Sequence, residues 1–246
     1  MRKSAIFLLF VAFCLTILGL SAQGGIAVSP QTARTKTEAE GKQKPEDSKQ
    51  RPVAKSKVYL LHSDLLRKDA SHPDAQIVTG NVSFRHDSVY MYCDSACYYD
   101  KVSSFEAFGN VKMVQGDTLF LYGDRLYYDG LTQIAEMRCN VRMENRTTTL
   151  LTDSLNYDRV YNLGYFFDGG TLMDEQNVLT SEWGEYSPQT KQSVFNYNVK
   201  LVNPQFTLTS DTLRYNTASK IADIVGPSDI WSDANHIYSE KGTYNT

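Results

Sequence analysis

Short runs of alternating apolar and polar residues recur along the chain from about residue 58 onward. Strict alternation over a few residues is typical of a strand with one buried and one solvated face. Gly116-Asp117 and Asp129-Gly130 end two such runs, and these residue types supply the dihedral angles that tight hairpins need. The pattern therefore predicts an all-β chain built from antiparallel hairpins. The clearest apolar pairs, each enclosing one polar residue, are Val82/Phe84, Val111/Met113, Val141/Met143 and Val199/Leu201.

The hairpins repeat along the chain. An acidic residue is followed four positions later by a tyrosine six times, and successive copies are 30, 29, 29, 29 and 29 residues apart. A regular period of this length indicates a repeat architecture. A weaker first copy contains Asp64, with Lys68 in place of the tyrosine, as is common for a terminal repeat. The six pairs are Asp94/Tyr98, Asp124/Tyr128, Asp153/Tyr157, Glu182/Tyr186, Asp211/Tyr215 and Glu240/Tyr244.

Each repeat predicts a bend in its long strand. Leu121 lies three residues before Asp124, and Leu126 lies two residues after it. Because side chains alternate along a strand, an odd and an even offset cannot share one face of an unbroken strand. Either the strand bulges or bends near the acidic residue, or both of its faces are partly covered. We favour a bend, because a bulge is the usual device for turning a strand around a curved sheet. Large apolar residues at the same offsets in other copies are Met91, Leu150, Leu155, Leu208 and Leu213.

The column of acidic residues has three candidate roles, namely turn stabilisation, calcium binding and catalysis. Like charges on strands about 4.8 Å apart repel by about 1 kcal/mol even in water, so something must offset this repulsion. Aspartate at a bend commonly accepts hydrogen bonds from local backbone N–H groups. The 15 glycines are too few for a calcium-binding β-roll. We therefore favour turn stabilisation, and we expect the tyrosines to serve strand packing rather than sugar binding.

Signatures of catalysis or metal binding are missing from the sequence. It contains no phosphate loop, nucleophile elbow or paired-histidine zinc motif. Cys93 and Cys97 on one strand would be about 13 Å apart, too far for a disulfide. With no matching pair elsewhere, we expect small packing residues rather than metal ligands and predict no cofactor. The histidines are scattered and expected at the surface: His62, His72, His86 and His236.

The charge balance excludes one functional class. Residues 58–246 contain 15 Lys and Arg against 24 Asp and Glu, a net charge of −9. A nucleic-acid-binding domain needs a basic face to neutralise phosphates. Nucleic-acid binding is therefore excluded.

The N-terminal part of the chain is predicted to serve export and tethering. A basic start precedes an apolar run, Ala5 to Leu20, which is too short for a comfortable membrane span, and Ala22 suits cleavage. Residues 1–22 are therefore predicted to be a cleaved signal peptide, with an uncleaved anchor as the alternative. Residues 23–57 have the polar composition of a disordered linker. Residues 58–246 form the predicted β-repeat domain.

Three segments resemble the OstA-like family, which is related to the LptA type of periplasmic lipopolysaccharide-transport protein. The resemblance covers about residues 58–246, and it rests on the phased period, the G-N-V strand entry and the DTL-x-Y ending. The Ser-Ala-Gln end of the signal is similar to the Bacteroidetes-type version. The segments are GNVSFRHDSVYMYCDSACYYD at 80–100, FEAFGNVKMVQGDTLFLYGDRLYYDG at 105–130 and LTSDTLRYNT at 208–217.

The resemblance implies both a fold and a function. The fold is an antiparallel β-jellyroll, or β-taco, with a V-shaped apolar slot. The function is a non-enzymatic conduit or chaperone in the periplasm or at the outer membrane, binding the lipid A acyl chains of lipopolysaccharide. Such domains join end to end, or pair with other β-jellyroll transport components, through open strand edges. The residues assigned to the slot lining are Val82, Phe84, Met91, Val111, Met113, Leu121, Leu126, Val141, Met143, Leu150, Leu155, Val199, Leu201, Leu208 and Leu213.

A structural or adhesive β-repeat protein of the envelope accounts for the same periodicity without lipid transport. It predicts a packed, closed interior. A polysaccharide-acting β-helix enzyme is a third alternative, and it would need a convergent charged cluster beyond the acidic column.

Overall fold

The computed structural model describes residues 56–70, 72–233 and 235–246, without the side chains of Asp69 and His72. The predicted signal peptide, and the predicted linker up to residue 55, lie outside these ranges. The described ranges contain eighteen strands and one short 3-10 helix, Asp100–Val102. None of their helical structure is long and apolar enough to cross a membrane.

The strands form one antiparallel sheet, which confirms the all-β class. Eight strands are 11 to 15 residues long, and the other ten are halves of five further crossings of the sheet. The bounds are β1 (Tyr59–His62), β2 (Leu65–Asp69), β3 (His72–His86), β4 (Val89–Tyr99), β5 (Ser104–Gln115), β6 (Leu119–Asp129), β7 (Ile134–Asn145), β8 (Thr148–Asp158), β9 (Leu163–Phe166), β10 (Gly170–Asp174), β11 (Asn177–Ser181), β12 (Trp183–Tyr186), β13 (Gln192–Asn203), β14 (Phe206–Asn216), β15 (Ile221–Ile224), β16 (Ser228–Ser232), β17 (Asn235–Ser239) and β18 (Gly242–Asn245).

The long strands bend near their middles, as the flanking leucines predict. The pairing register of β5 shifts between Phe108 and Val111, and that of β6 shifts between Tyr122 and Arg125, beside Asp124. The expected bend at the acidic residue is thereby confirmed, and the extra residue at each register shift lies on β5 or β7 rather than on β6.

A pair of left-handed residues turns the backbone at the bend of β5. Gly109 and Asn110 have φ angles of +75° and +45°. The same geometry returns at Gly80-Asn81, Cys139-Asn140 and Tyr197-Asn198. Asparagine tolerates this region because its short polar side chain bonds locally, and asparagine is present at all four of these bends, whereas glycine is present at two.

The bends fold the sheet into two facing layers. Layer one contains the strand halves that end at turns such as His86/Val89 and Gln115/Leu119. Layer two contains the halves that end at turns such as Asp129/Ile134. Phe84 of layer one stacks on Phe105 of layer two, with ring centroids 4.1 Å apart and planes at 11°. Inward apolar side chains from both layers form one core.

Candidate functional site

The fifteen residues assigned to the slot lining all lie in the interior. Each exposes 2 % or less of its surface, and all belong to the same core cluster. Cys93 lies in this core too, where burial raises the pKa of its thiol to about 12. The space between the layers is therefore apolar along its length, and the protein's own side chains fill it.

Phe166 shows how the interior is filled where a leucine is missing. Gly184 occupies the position two residues after Glu182, where other repeats have leucine. A Cβ on Gly184 would lie 2.5 Å from Cζ of Phe166, and one on Gly170 would lie 2.6 Å from Cε2 of the same ring. The phenyl ring thus takes the volume that a leucine fills elsewhere.

Four members of the tyrosine column are fully buried, and their hydroxyls reach the opposite layer. Tyr128, Tyr157, Tyr186 and Tyr215 expose 1 % or less. Burial raises the pKa of Tyr128 to about 12 and shifts the pKa of each of the other three upward. The hydroxyls therefore stay protonated. Besides packing between strands, these tyrosines place a polar group at the opposite layer.

The sixth tyrosine of the column differs from the four buried ones. Tyr244 is only half-buried, and its ring packs on Phe206 with centroids 4.4 Å apart. The reason is its place in the sheet, because Tyr244 lies on β18, which among the described strands pairs only with β15. One flank of Tyr244 is therefore left without the neighbouring strand that covers Tyr215. The sequence period extends to Tyr244, whereas the full burial of the column does not.

A polar seam closes the edge opposite the bends. At four places, an inward-facing polar residue at a hairpin end of layer one meets a tyrosine and a turn residue of layer two. Three of the turn residues, Asn162, Lys191 and Lys220, have φ angles of +50°, +64° and +58°. We define the seam by these four sets and term each set a rung. The rungs are His86/Tyr128/Arg159, Gln115/Tyr157/Asn162, Asn145/Tyr186/Lys191 and Asp174/Tyr215/Lys220.

His86 contradicts the expectation that the histidines lie at the surface. It is fully buried, whereas His62 and His236 are exposed. Its Nδ1 lies 2.7 Å from the Tyr128 hydroxyl, and its Nε2 lies 2.8 Å from Oγ of Ser56. Burial lowers the pKa of His86, and the guanidinium of Arg159 nearby lowers it further. The imidazole is buried because the last position of β3 points inward.

In the two rungs that contain lysine, the ammonium group bonds directly to the inward-facing polar residue of layer one. Nζ of Lys220 lies 2.7 Å from Oδ2 of Asp174, a fully buried carboxylate that also accepts the Tyr215 hydroxyl at 2.8 Å. Nζ of Lys191 donates to Oδ1 of Asn145. These bonds offset part of the cost of burying charged and polar groups.

The four rungs also share one long-range geometry. His86 is on β3 and Tyr128 on β6, while Asp174 is on β10 and Tyr215 on β14. Each rung therefore joins strands three crossings apart in the sheet.

The sequence contains a signal for the seam that the hydrophobic pattern did not reveal. The layer-one residues of the four rungs, followed by Asn203, recur at steps of 29, 30, 29 and 29. A polar residue beside a hairpin turn is ordinary turn composition, so this period does not stand out. The recurring residues are His86, Gln115, Asn145, Asp174 and Asn203.

The acidic column lies on the outer surface of the protein, at the bends. Nδ2 of Asn110 donates to Asp94 at 2.8 Å, and Nδ2 of Asn140 donates to Asp124 at 2.6 Å. The same bond joins Asn81 to Asp64 at 2.9 Å and Asn198 to Glu182 at 2.5 Å. The acids thus accept bonds chiefly from asparagine side chains of the next strand rather than from backbone N–H groups.

No group of three or more His, Cys, Asp or Glu among the described residues is arranged to hold a metal ion.

The bends, the seam and the apolar core define a two-layer antiparallel β-repeat protein. The chain belongs to the OstA-like family, whose sequence model matches residues 55–211. No curated protein matches it. A solved structure that it resembles is LptH of Pseudomonas aeruginosa, described as the LptA homologous periplasmic component of the conserved lipopolysaccharide transport device. The TM-score is 0.38 at 13 % identity, over 40 % of this chain and 76 % of that chain.

Proposed function

We propose that this protein is a non-enzymatic periplasmic carrier that binds the acyl chains of lipopolysaccharide between its two layers during outer-membrane assembly. Membership of the OstA-like family supports this proposal. The observation that carries it is the continuous apolar interior formed by the fifteen lining residues.

The energetics of acyl-chain transfer favour such a site. Burial of one methylene contributes about 0.8 kcal/mol, so a chain of about twelve carbons gains roughly 10 kcal/mol. Facing layers lie about 10 Å apart and are filled by side chains, so the layers must part or repack to admit a lipid. The gain from several acyl chains would offset part of the cost of such rearrangement, which separates packed apolar side chains and breaks rung hydrogen bonds of about 1 kcal/mol each.

Site-specific photo-crosslinking in cells tests the proposal. A photoreactive phenylalanine at Phe84 is nearly isosteric with the native side chain, so the packed core should tolerate it. We expect ultraviolet light to join lipopolysaccharide to positions Phe84 and Leu121. The matched control is Tyr122, which follows Leu121 on β6 and has the opposite orientation.

The proposal is wrong if Tyr122 gives as much lipopolysaccharide adduct as Leu121, or if the interior positions yield only protein adducts. A thermal melt of each purified variant confirms that it is folded.

A structural or adhesive role is the second candidate, favoured by the closed interior. Leu121 and Phe84 expose 0 % of their surface, as a permanently packed core requires. Under this alternative, interior positions give no lipid adducts in cells, and deletion of the gene leaves the outer-membrane permeability barrier intact.

A further inference from the structure

The seam contains three cations that point at the interior edge rather than into solvent. Arg159 lies against His86 and Tyr128, Lys191 donates to Asn145, and Lys220 donates to Asp174. Lys191 and Lys220 occupy equivalent turn positions one repeat apart. One repeat is two strands, so the two residues lie about 10 Å apart along the seam.

Cations elsewhere on the molecule have different surroundings. Lys112 and Arg142 lie over the ring of Tyr122 on the outer face, and Arg125 lies over Phe108. These side chains belong to the solvated surface of the sheet. The seam cations lie at the edge where a molecule between the layers would emerge.

The seam also contains most of the buried polar side-chain atoms that lack a hydrogen-bond partner in the described part of the chain. Oε1 of Gln115, Nε of Arg159 and Oδ1 of Asp174 are buried and have no hydrogen-bond partner. They are three of the four such side-chain atoms in the described part of the chain, and all three belong to rungs. Separation of the layers along the seam would return these atoms to water or to a ligand, whereas the bent edge is held by the continuous backbone.

We propose, on the basis of the proposed function, that the seam is the line along which an amphiphile enters, and that Arg159, Lys191 and Lys220 bind its phosphate-bearing headgroup. Acyl chains between the layers leave the headgroup at the seam. Opening of the rungs frees the three cations there. An ammonium group and a guanidinium group both donate charge-assisted hydrogen bonds to phosphate oxygens. The acidic exterior is compatible with this ligand because three cations lie at the seam, where a phosphate would compete with Asp174 and with the exposed carboxylate of Glu175, 3.3 Å from Nζ of Lys220.

Binding of defined lipids to the purified full chain tests the inference. The probes are diphosphoryl lipid A, its dephosphorylated form and phosphatidylglycerol, each in a neutral detergent. We expect Lys191→Gln/Lys220→Gln to weaken binding of diphosphoryl lipid A at least tenfold and to change binding of the dephosphorylated form less than twofold. Lys200→Gln removes an exposed charge from the outer face of β13 and should change neither.

A second variant guards against a folding defect. Lys220→Gln leaves the Asp174 carboxylate buried without its cation, so Asp174→Asn/Lys220→Gln removes both charges. This pair should lose the phosphate-dependent part of binding while remaining folded. The seam inference is overturned if both seam variants bind diphosphoryl lipid A as tightly as the wild-type protein.

The probes separate the possible outcomes. An equal loss of phosphatidylglycerol binding supports a general phosphate site, and a loss limited to lipid A supports a site for lipopolysaccharide. If the wild-type protein binds both lipid A forms equally well, the seam inference fails while the proposed carrier function stands. If none of the probes binds, the carrier function itself fails.

Discussion

At the scale of single residues, His86 is a neutral base held between a phenol and a guanidinium. Arg159 lies 3.1 Å from its Nδ1, and the carboxylate of Asp87 lies 3.8 Å from its Nε2. Burial and Arg159 together outweigh Asp87, so the pKa of His86 is lowered in the folded state.

The stability of the protein should therefore depend on pH near the ordinary pKa of histidine. As the pH falls through about 6.5, the unfolded chain binds a proton at His86 and the folded chain does not. The free energy of unfolding then decreases with falling pH. Urea denaturation at several pH values between about 5.5 and 7.5 should show this decrease, and His86→Gln should reduce it.

His236→Gln is the matched control, because this histidine is exposed and belongs to none of the rungs. An unchanged pH dependence in His86→Gln would contradict the argument.

The alternation of apolar and polar residues predicts which face a side chain occupies, but not which residue it contacts. Alternation along each strand predicted that Val111, Met113 and Leu121 point inward, because strand geometry links parity to a face. It did not predict the partners of His86 or the ring that covers Gly184. Those contacts join residues on different strands, and their identity depends on how the two layers face each other.

At the scale of the element, the long strands are divided by bends, and three features hold the bend that β6 and β7 share. A left-handed residue pair turns the chain, the next strand supplies an asparagine amide, and an exposed acid accepts its hydrogen bond. The repeat follows from the spacing of its copies along the sequence, and the position of the bend follows from the apolar offsets within one strand. The asparagine donor was missed because it lies 16 residues from its acid.

A double-mutant cycle measures the contribution of one such hydrogen bond. Asn140→Gly removes the amide without penalising the left-handed backbone, and Asp124→Ala removes the carboxylate. We expect a coupling energy of about 0.5–1.5 kcal/mol between them in urea denaturation.

Additive effects would show that the bend does not depend on this hydrogen bond. Calcium titration distinguishes the other role considered for the acids. A calcium-induced rise in melting temperature that Asp124→Ala abolishes would favour a calcium site.

At the scale of the whole molecule, the sheet has unpaired edges at both ends. Within the described ranges β17 pairs only with β16, β18 only with β15, and β1 and β2 only with β3. Ile237 lies opposite Ile230 and is 51 % exposed, while Leu65 at the other end is 53 % exposed. The end-to-end pairing that the family resemblance implies predicts association through such edges, which would continue the sheet.

The mass of the assembly should respond to changes at the edge. Tyr238→Pro removes a backbone donor from β17 and should lower the average mass in light scattering over a concentration series. Tyr197→Lys alters a residue that is 61 % exposed at a bend and should leave the mass unchanged. Equal masses for the Tyr238→Pro variant and the wild-type protein would contradict edge pairing.

In a repeat protein whose units touch only their neighbours, the ends fray one unit at a time. The rungs change this behaviour because each connects strands three crossings apart, from β3 to β6 at one end and from β10 to β14 at the other. Loosening one strand disrupts contacts in the repeats on both sides of it. Amide hydrogens between β3 and β14 should therefore exchange as one cooperative unit, with early exchange confined to the terminal strands.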